Sequence, residues 1–262
     1  MPDAMRNTLH TNQFAERLAA LEERIAAACH AAGRAREGVT LVAVSKEHPD
    51  AAVRAFYALG VRDFGENKVQ AWKARLATCA DLEGVRWHVI GPLQTNKAKD
   101  VARGRPALVH TIDRTELADA LNLRADAAAP IACLVQVNVD AEPQKAGVAP
   151  SDLDALVDHL AGLAGVALRG LMTIPRPLEE AGESATRAAF AALRMLSERV
   201  ADRIGDPITG GPPILSMGMS DDFSLAIAEG ATHVRVGTAL FGARPPRAHG
   251  GHDDARREQT HG

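Results

Sequence analysis

Aromatic residues are scarce in this chain: they make up 3% of its 262 residues, and Tyr57 is the only tyrosine. A single-stranded nucleic-acid platform needs several stacking rings, so that class of function finds no support. Cysteine is equally sparse. Cys29, Cys79 and Cys133 lie far apart with no C-x-x-C pair, which fits neither a disulfide framework nor a zinc site and points to a reducing compartment. A strong excess of one charge is missing too: the net value is −3, and only six of the 30 basic residues are lysine. No dense Lys/Arg run marks a nucleic-acid face. No segment approaches the ~18 consecutive apolar residues of a membrane span, and Met1–His10 holds no apolar run of signal-peptide length. The sequence therefore predicts a cytoplasmic protein, with neither a membrane nor a nucleic acid as partner.

What is present is the composition of a soluble globular protein, 46% hydrophobic and 24% charged. Phe14, Leu18, Leu21, Ile25 and Ala28 recur at helical spacing with Arg17, Glu22 and Glu23 on the other side, which predicts an amphipathic first helix ending near Gly33. After it, short β-branched runs alternate with Ala/Leu-rich helical stretches. Strands are expected at Thr40–Val44, Val61–Phe64, Arg86–Ile90, Ala107–His110, Ile131–Val139, Ala167–Thr173, Pro213–Met217 and Thr232–Val236. Helices are expected at Pro49–Leu59, Asn67–Cys79, Thr95–Arg103, Arg114–Arg124, Ser151–Leu163, Glu183–Ile204 and Asp221–Glu229. Eight strands alternating with helices predict a single (β/α)8 TIM barrel with an extra N-terminal helix. Residues 1–244 are read as that barrel. The tail from Pro245 to Gly262 is polar, with too little apolar surface to order itself; its His249, His252 and His261 read as solvated rather than as metal ligands. No internal repeat is visible.

In such a barrel the functional site lies at the C-terminal ends of the strands. Lys46 follows the first apolar strand, and alternation places it on the same side as Val42 and Val44, facing the interior. A free lysine near pKa ~10.4 is neutral in only about one molecule in 2,500 at pH 7; burial lowers that pKa and frees the amine as a nucleophile toward an aldehyde. A strand-end lysine paired with Glu47 or Glu66 is the other reading. After the seventh strand, Ser220 stands at an N-cap position where backbone N–H groups can meet an anion, and after the eighth, Gly237 and Thr238 add close approach and a hydroxyl. An ordinary cap and a strand-ending glycine would look the same. Arg235 alternates with Val234 and Val236 and so points inward, toward a ligand's ring nitrogen or carboxylate, or into a buried ion pair. An inward lysine, an anion cradle and an inward arginine together suit pyridoxal 5′-phosphate, and do not exclude a Schiff-base aldolase acting on a sugar phosphate.

The strings Val44-Ser45-Lys46, Phe64-Gly65-Glu66-Asn67, Trp87-His88-Val89-Ile90-Gly91-Pro92-Leu93-Gln94-Thr95-Asn96-Lys97, Gly170-Leu171-Met172, Leu215-Ser216-Met217-Gly218-Met219-Ser220-Asp221-Asp222 and Val234-Arg235-Val236-Gly237-Thr238-Ala239-Leu240-Phe241-Gly242 resemble the pyridoxal phosphate homeostasis proteins. These are single-domain relatives of the alanine racemase N-terminal barrel. The resemblance spans about Leu41 to Arg244. It implies a non-catalytic protein of vitamin B6 balance that carries the cofactor as a Schiff base on Lys46. It further implies Arg235 at the pyridine nitrogen, Ser220, Gly237 and Thr238 around the phosphate, and Asn67 and His88 along the ring. Implied partners are pyridoxal phosphate itself and apoenzymes that receive it, with the chain a monomer or weak dimer. The chain departs from the family pattern at Lys68 and Ala71, where an aromatic and then an acidic residue are usual; this bears on the local helix surface, not on the cofactor site.

The competing reading is a pyridoxal phosphate-dependent amino-acid racemase. Racemases of this barrel carry the second base, a tyrosine, on a β domain after the barrel, whereas here only the polar tail follows the last strand and Tyr57 lies between the first two. A cationic Arg235 at the pyridine nitrogen also disfavours ring protonation and weakens the electron sink.

Overall fold

Eight short parallel strands close on themselves in sequence order. The computed structural model describes residues 3–142, 144–204 and 211–242, with the backbone alone for residues 3–11. The strands are β1 (Thr40–Val44), β2 (Asp63–Glu66), β3 (Arg86–Val89), β4 (Leu108–Ile112), β5 (Ile131–Gln136), β6 (Val166–Met172), β7 (Ile214–Ser216) and β8 (His233–Val236). Closure is made by β1 against β8, in the register Thr40↔His233, Leu41↔Val234, Val42↔Arg235 and Ala43↔Val236. The helices are α1 (Asp3–Ala31), α2 (Asp50–Ala58), α3 (Val69–Thr78), α4 (Ala98–Gly104), α5 (Thr115–Asn122), α6 (Leu153–Ala161), α7 (Leu178–Arg199), α8 (Phe223–Ala228) and α9 (Thr238–Phe241). The expected tail Pro245–Gly262 and its histidines lie outside the described residues.

Period-2 alternation sorts the strand residues. Leu41, Ala43, Phe64, Trp87, Val89 and Val109 face the helices and join the main core, where Phe56, Trp72, Phe190 and Phe223 are completely buried. The extra helix α1 seals the shell: Leu21 and Ile25 are buried, and Phe14 packs on Phe56 at 4.9 Å between ring centroids. The inward-facing residues divide the barrel interior into two halves. Leu108, Leu134 and Met172 form an apolar half. Asp63, His88, His110, Ser216 and Arg235 form a buried polar half.

Most expected elements are present, with shifted ends. β2 starts at Asp63 because the chain before it completes the end of α2: Gly60 N–H donates to Tyr57 O and Val61 N–H to Phe56 O, a helix-terminating pattern that uses up Val61. β5 stops at Gln136 because Asn138 Nδ2 donates to Glu142 O and folds the following residues into a loop. The expected helix at 95–103 divides into a 3-10 turn, Thr95–Lys97, and α4. α9, four residues long, was not anticipated from periodicity.

Candidate functional site

At the C-terminal ends of the strands lies a cavity of about 370 Å³. Lys46, Asn67, Ser220, Arg235, Gly237 and Thr238 all line it, together with His48, Ile90, Gly91, Pro92, Ile174, Met219 and Asp221. Six of the seven residues singled out in the sequence are thus brought to one place from four strand ends.

Lys46 sits just beyond β1, half-buried above buried Val44. The next residue, Glu47, has φ 66°, a left-handed conformation that costs a non-glycine residue energy and persists only where the surroundings enforce it. The surroundings are visible. His48 stacks on Phe241 with centroids 4.8 Å apart and an interplanar angle of 22°. From behind, Arg75 of α3 donates to the carbonyl oxygens of Ser45 and His48, and pairs with Asp50 and with Glu66. Ser45 Oγ donates to Glu66 Oε1 at 2.8 Å. Burial pushes the Glu66 carboxyl up to about 7, against the opposing hydrogen bond from Ser45 and the charge of Lys46. Asn67 is set by close backbone approach: a Cβ on Gly91 would collide with the Asn67 carbonyl, so the loops after β2 and β3 meet only through a glycine.

Arg235 is inward, as alternation required, and only 4% exposed. Its Nη1 donates to Ser216 Oγ at 2.7 Å and its Nη2 to Thr173 O at 2.9 Å. It forms no ion pair with a described residue. Burial lowers its pKa to about 10, and the more distant Asp222 charge pulls the other way. A buried guanidinium without a directly bonded carboxylate, bordering a cavity, has the capacity to take an acceptor from a ligand.

The anion side is corrected in one respect. Ser220 is not the cap of α8; Asp222 holds that position and its Oδ1 accepts the Met219 N–H at 2.5 Å. The loop needs an extra turn because Gly218, at φ 91°, packs against α8, where a Cβ would lie 2.6 Å from Ala226. Ser220 is thereby turned toward α9, its Oγ 3.5 Å from the Ala239 N–H. The first N–H groups of α9, at Thr238 and Ala239, have no partner within the helix, and they open beside the Ser220 and Thr238 hydroxyls.

His88 is a second correction. It does not line this cavity. It is 3% exposed, deep in the barrel, with Nε2 3.0 Å from Asp63 Oδ1 and Nδ1 2.9 Å from His110 Nε2. It borders a separate cavity of about 370 Å³ at the N-terminal pole, with Asp63, Arg86, Arg169 and His233. Alternation gives the inward direction of His88 but not its height in the barrel; its neighbour in register on β4, Leu108, is the first residue of that strand, below the C-terminal ends. Sequence reasoning missed His48, which lines the mouth two residues beyond Lys46; continuing the alternation of β1 past its end is the signal that would have found it.

The alanine racemase N-terminal domain family matches residues 17–245. The pyridoxal phosphate homeostasis protein of Pseudomonas aeruginosa is 47% identical over 232 residues, covering 88% of this chain and 96% of that one. The protein of the same description from Aquifex aeolicus is 41% identical over 230 residues, 87% of this chain and 97% of that one. The chain belongs to the pyridoxal phosphate homeostasis protein family. Among solved structures, PipY of Synechococcus elongatus with PLP bound superposes with a TM-score of 0.73 at 39% identity, covering 87% of this chain and all (100%) of that one. Alanine racemase of Streptomyces coelicolor, at 21% identity and a TM-score of 0.67, shares the fold; the match covers 87% of this chain and 59% of that one.

Proposed function

We propose that this chain binds pyridoxal 5′-phosphate at the barrel mouth, with Lys46 as its covalent anchor, and serves intracellular vitamin B6 balance as a reversible carrier rather than as a catalyst. The observation that carries this reading is the placement of Lys46 and Arg235 on one cavity, with the Ser220, Gly237 and Thr238 backbone and hydroxyl groups beside them. The donor set fits the group. Lys46 supplies an amine, Arg235 an N–H donor for a ring nitrogen that stays unprotonated, and the start of α9 with Ser220 and Thr238 supplies N–H and O–H donors for a phosphate. Asn67 lines the ring side. When bound, the cofactor supplies an aldehyde that condenses reversibly with amines.

Two features favour carriage over turnover. Arg235 keeps a positive charge beside the ring nitrogen, which disfavours ring protonation and weakens the electron sink. The only tyrosine is engaged elsewhere: Tyr57 Oη donates to Glu83 O, and its ring lies under the Arg62 guanidinium at 4.1 Å. Recipients are apoenzymes that take the cofactor from an open mouth, and the carrier is a cytoplasmic monomer or weak dimer. No helix among the described residues is long and apolar enough to cross a membrane.

The test loads the full chain with pyridoxal 5′-phosphate, records its absorbance, and follows α-proton exchange of L- and D-alanine in deuterium oxide. A visible absorption band without exchange is expected. Exchange at an ordinary enzymatic rate of about 1–10³ s⁻¹ would replace this reading with the racemase, and the absence of a cofactor band would leave the aldolase.

A further inference from the structure

Under the mouth, five side chains from five strands form one hydrogen-bonded line. Arg235 Nη1 donates to Ser216 Oγ at 2.7 Å, and Ser216 Oγ is 2.9 Å from His110 Nδ1. His110 Nε2 is 2.9 Å from His88 Nδ1, and His88 Nε2 is 3.0 Å from Asp63 Oδ1. All five residues are buried. The chemistry of the two ends fixes the direction of every link. Arginine only donates and an ionised carboxylate only accepts. Burial alone would raise Asp63, but the bonds from His88 and Arg86 outweigh it and hold the carboxyl below its usual range. Asp63 therefore takes a proton-bearing Nε2 from His88. With neutral rings, His88 Nδ1 then accepts from His110 Nε2, His110 Nδ1 accepts from the Ser216 hydroxyl, and Ser216 keeps its lone pairs for Arg235. Each tautomer and the hydroxyl rotor have one setting.

We propose that Ser216, His110, His88 and Asp63 are positioning residues for Arg235: the line locks the guanidinium so that its unused N–H groups meet the ring nitrogen of the bound cofactor. This rests on the cofactor reading above. Of the five guanidinium N–H donors, one is committed to Ser216 and one to Thr173 O, which fixes the plane and leaves three uncommitted in a residue that lines the cavity. Hydrogen bonds in series also polarise one another, so Ser216 accepts more strongly when His110 draws on its hydroxyl. A proton added to His110 Nδ1 would reverse its link to Ser216 and turn that hydroxyl out of line. The surroundings oppose that proton. His110 is held well below its usual pKa by burial, then by the charges of His88, Arg235 and His233. Arg86 and Arg169 stand at the lower cavity and His233 packs on both rings, while Asp63 below and Asp222 above carry negative charge toward the line.

The full chain is compared with Ser216→Ala, His110→Phe, the hydroxyl-retaining Ser216→Thr, and Met172→Leu in the apolar half of the same interior. Two readouts are used: hydrogen exchange of the Arg235 guanidinium N–H groups by nitrogen-15 NMR without cofactor, and the absorbance spectrum and its pH titration with pyridoxal 5′-phosphate. Ser216→Ala and His110→Phe should exchange about tenfold faster or more, the loss of one charge-assisted bond, and should move the spectrum and its titration midpoint. Ser216→Thr should restore both, and Met172→Leu should move neither. Unchanged exchange in Ser216→Ala, or faster exchange with an unmoved spectrum and titration, overturns the proposal, and Ser216→Ala alone decides if His110→Phe does not fold. A wild-type chain with no cofactor band refutes the cofactor reading instead, and with it the role of the line toward that cofactor.

Discussion

Inside the barrel, Asp63, His88, His110 and Ser216 spend their polar atoms on one another and on the flanking Arg86 and Arg235. At the mouth above them, the side chains of Asn67 and Thr238 bond to no described residue, and the Ser220 hydroxyl makes a single long contact with one. The residue types are alike; the difference is saturation. A buried polar group without a partner costs about 1–3 kcal/mol, so interior groups are paired within the chain, while Asn67 and Thr238 at the open mouth are left for water or a ligand. Arg235 belongs to both regions, held from below by Ser216 and Thr173 and open above. The contrast teaches where to look for binding in this fold: among donors left with spare capacity, next to a buried cation that is held from below and borders them.

The sharpest way to break the comparison is to attack the shell that holds both regions. Phe190 of α7 is completely buried against the strands. Phe190→Ala should cost about 3–5 kcal/mol of stability, seen as a lowered urea midpoint, while the folded fraction still takes up pyridoxal 5′-phosphate. Loss of binding by fully folded Phe190→Ala would show that shell and mouth are not separable.

Acid separates the two regions next. Burial and the neighbouring His88 charge lower the His233 pKa to about 4, whereas in the unfolded chain it returns to ~6.5. Between those values the unfolded chain holds a proton that the folded one lacks. The His233 contribution is therefore complete above pH ~6.5 and lost as the pH falls through about 4, a change on the order of 2–3 kcal/mol. His110 acts in the same direction. Urea midpoints measured from pH 7 to pH 4 should fall, and should fall less in His233→Gln; an equal slope in both proteins would remove the buried interior as its source.

The smallest effects belong to the mouth. Ser220→Ala and Thr238→Ala should each weaken cofactor retention by roughly 1–2 kcal/mol, one phosphate hydrogen bond apiece, with stability nearly unchanged. Dialysis of the double variant without loss of cofactor would contradict the assignment of the cradle.

Much of this was legible in the sequence, for identifiable reasons. Thr40–Val44 matches β1 at both ends because a polar, charged segment bounds the apolar run on each side. Arg235 was placed inward by alternation with Val234 and Val236, which is a local rule and held. The same alternation placed Lys46 on the inner side, and it lines the cavity. What local rules do not supply is height along the barrel axis or partners distant in the chain. His88 was placed along the ring only by the resemblance, and its level in the barrel was not visible in the sequence. The Ser216–His110 link joins residues 106 apart, and no spacing rule reaches that far. α9 escaped because four residues give too little of a helical period.

Carriage of the cofactor turns above all on which lysine faces it. Borohydride reduction of the loaded protein followed by peptide mass analysis reads this directly. The pyridoxyl adduct is expected on the peptide containing Lys46, and Lys46→Ala should abolish it. An adduct confined to Lys68, Lys97 or Lys145 would contradict the account.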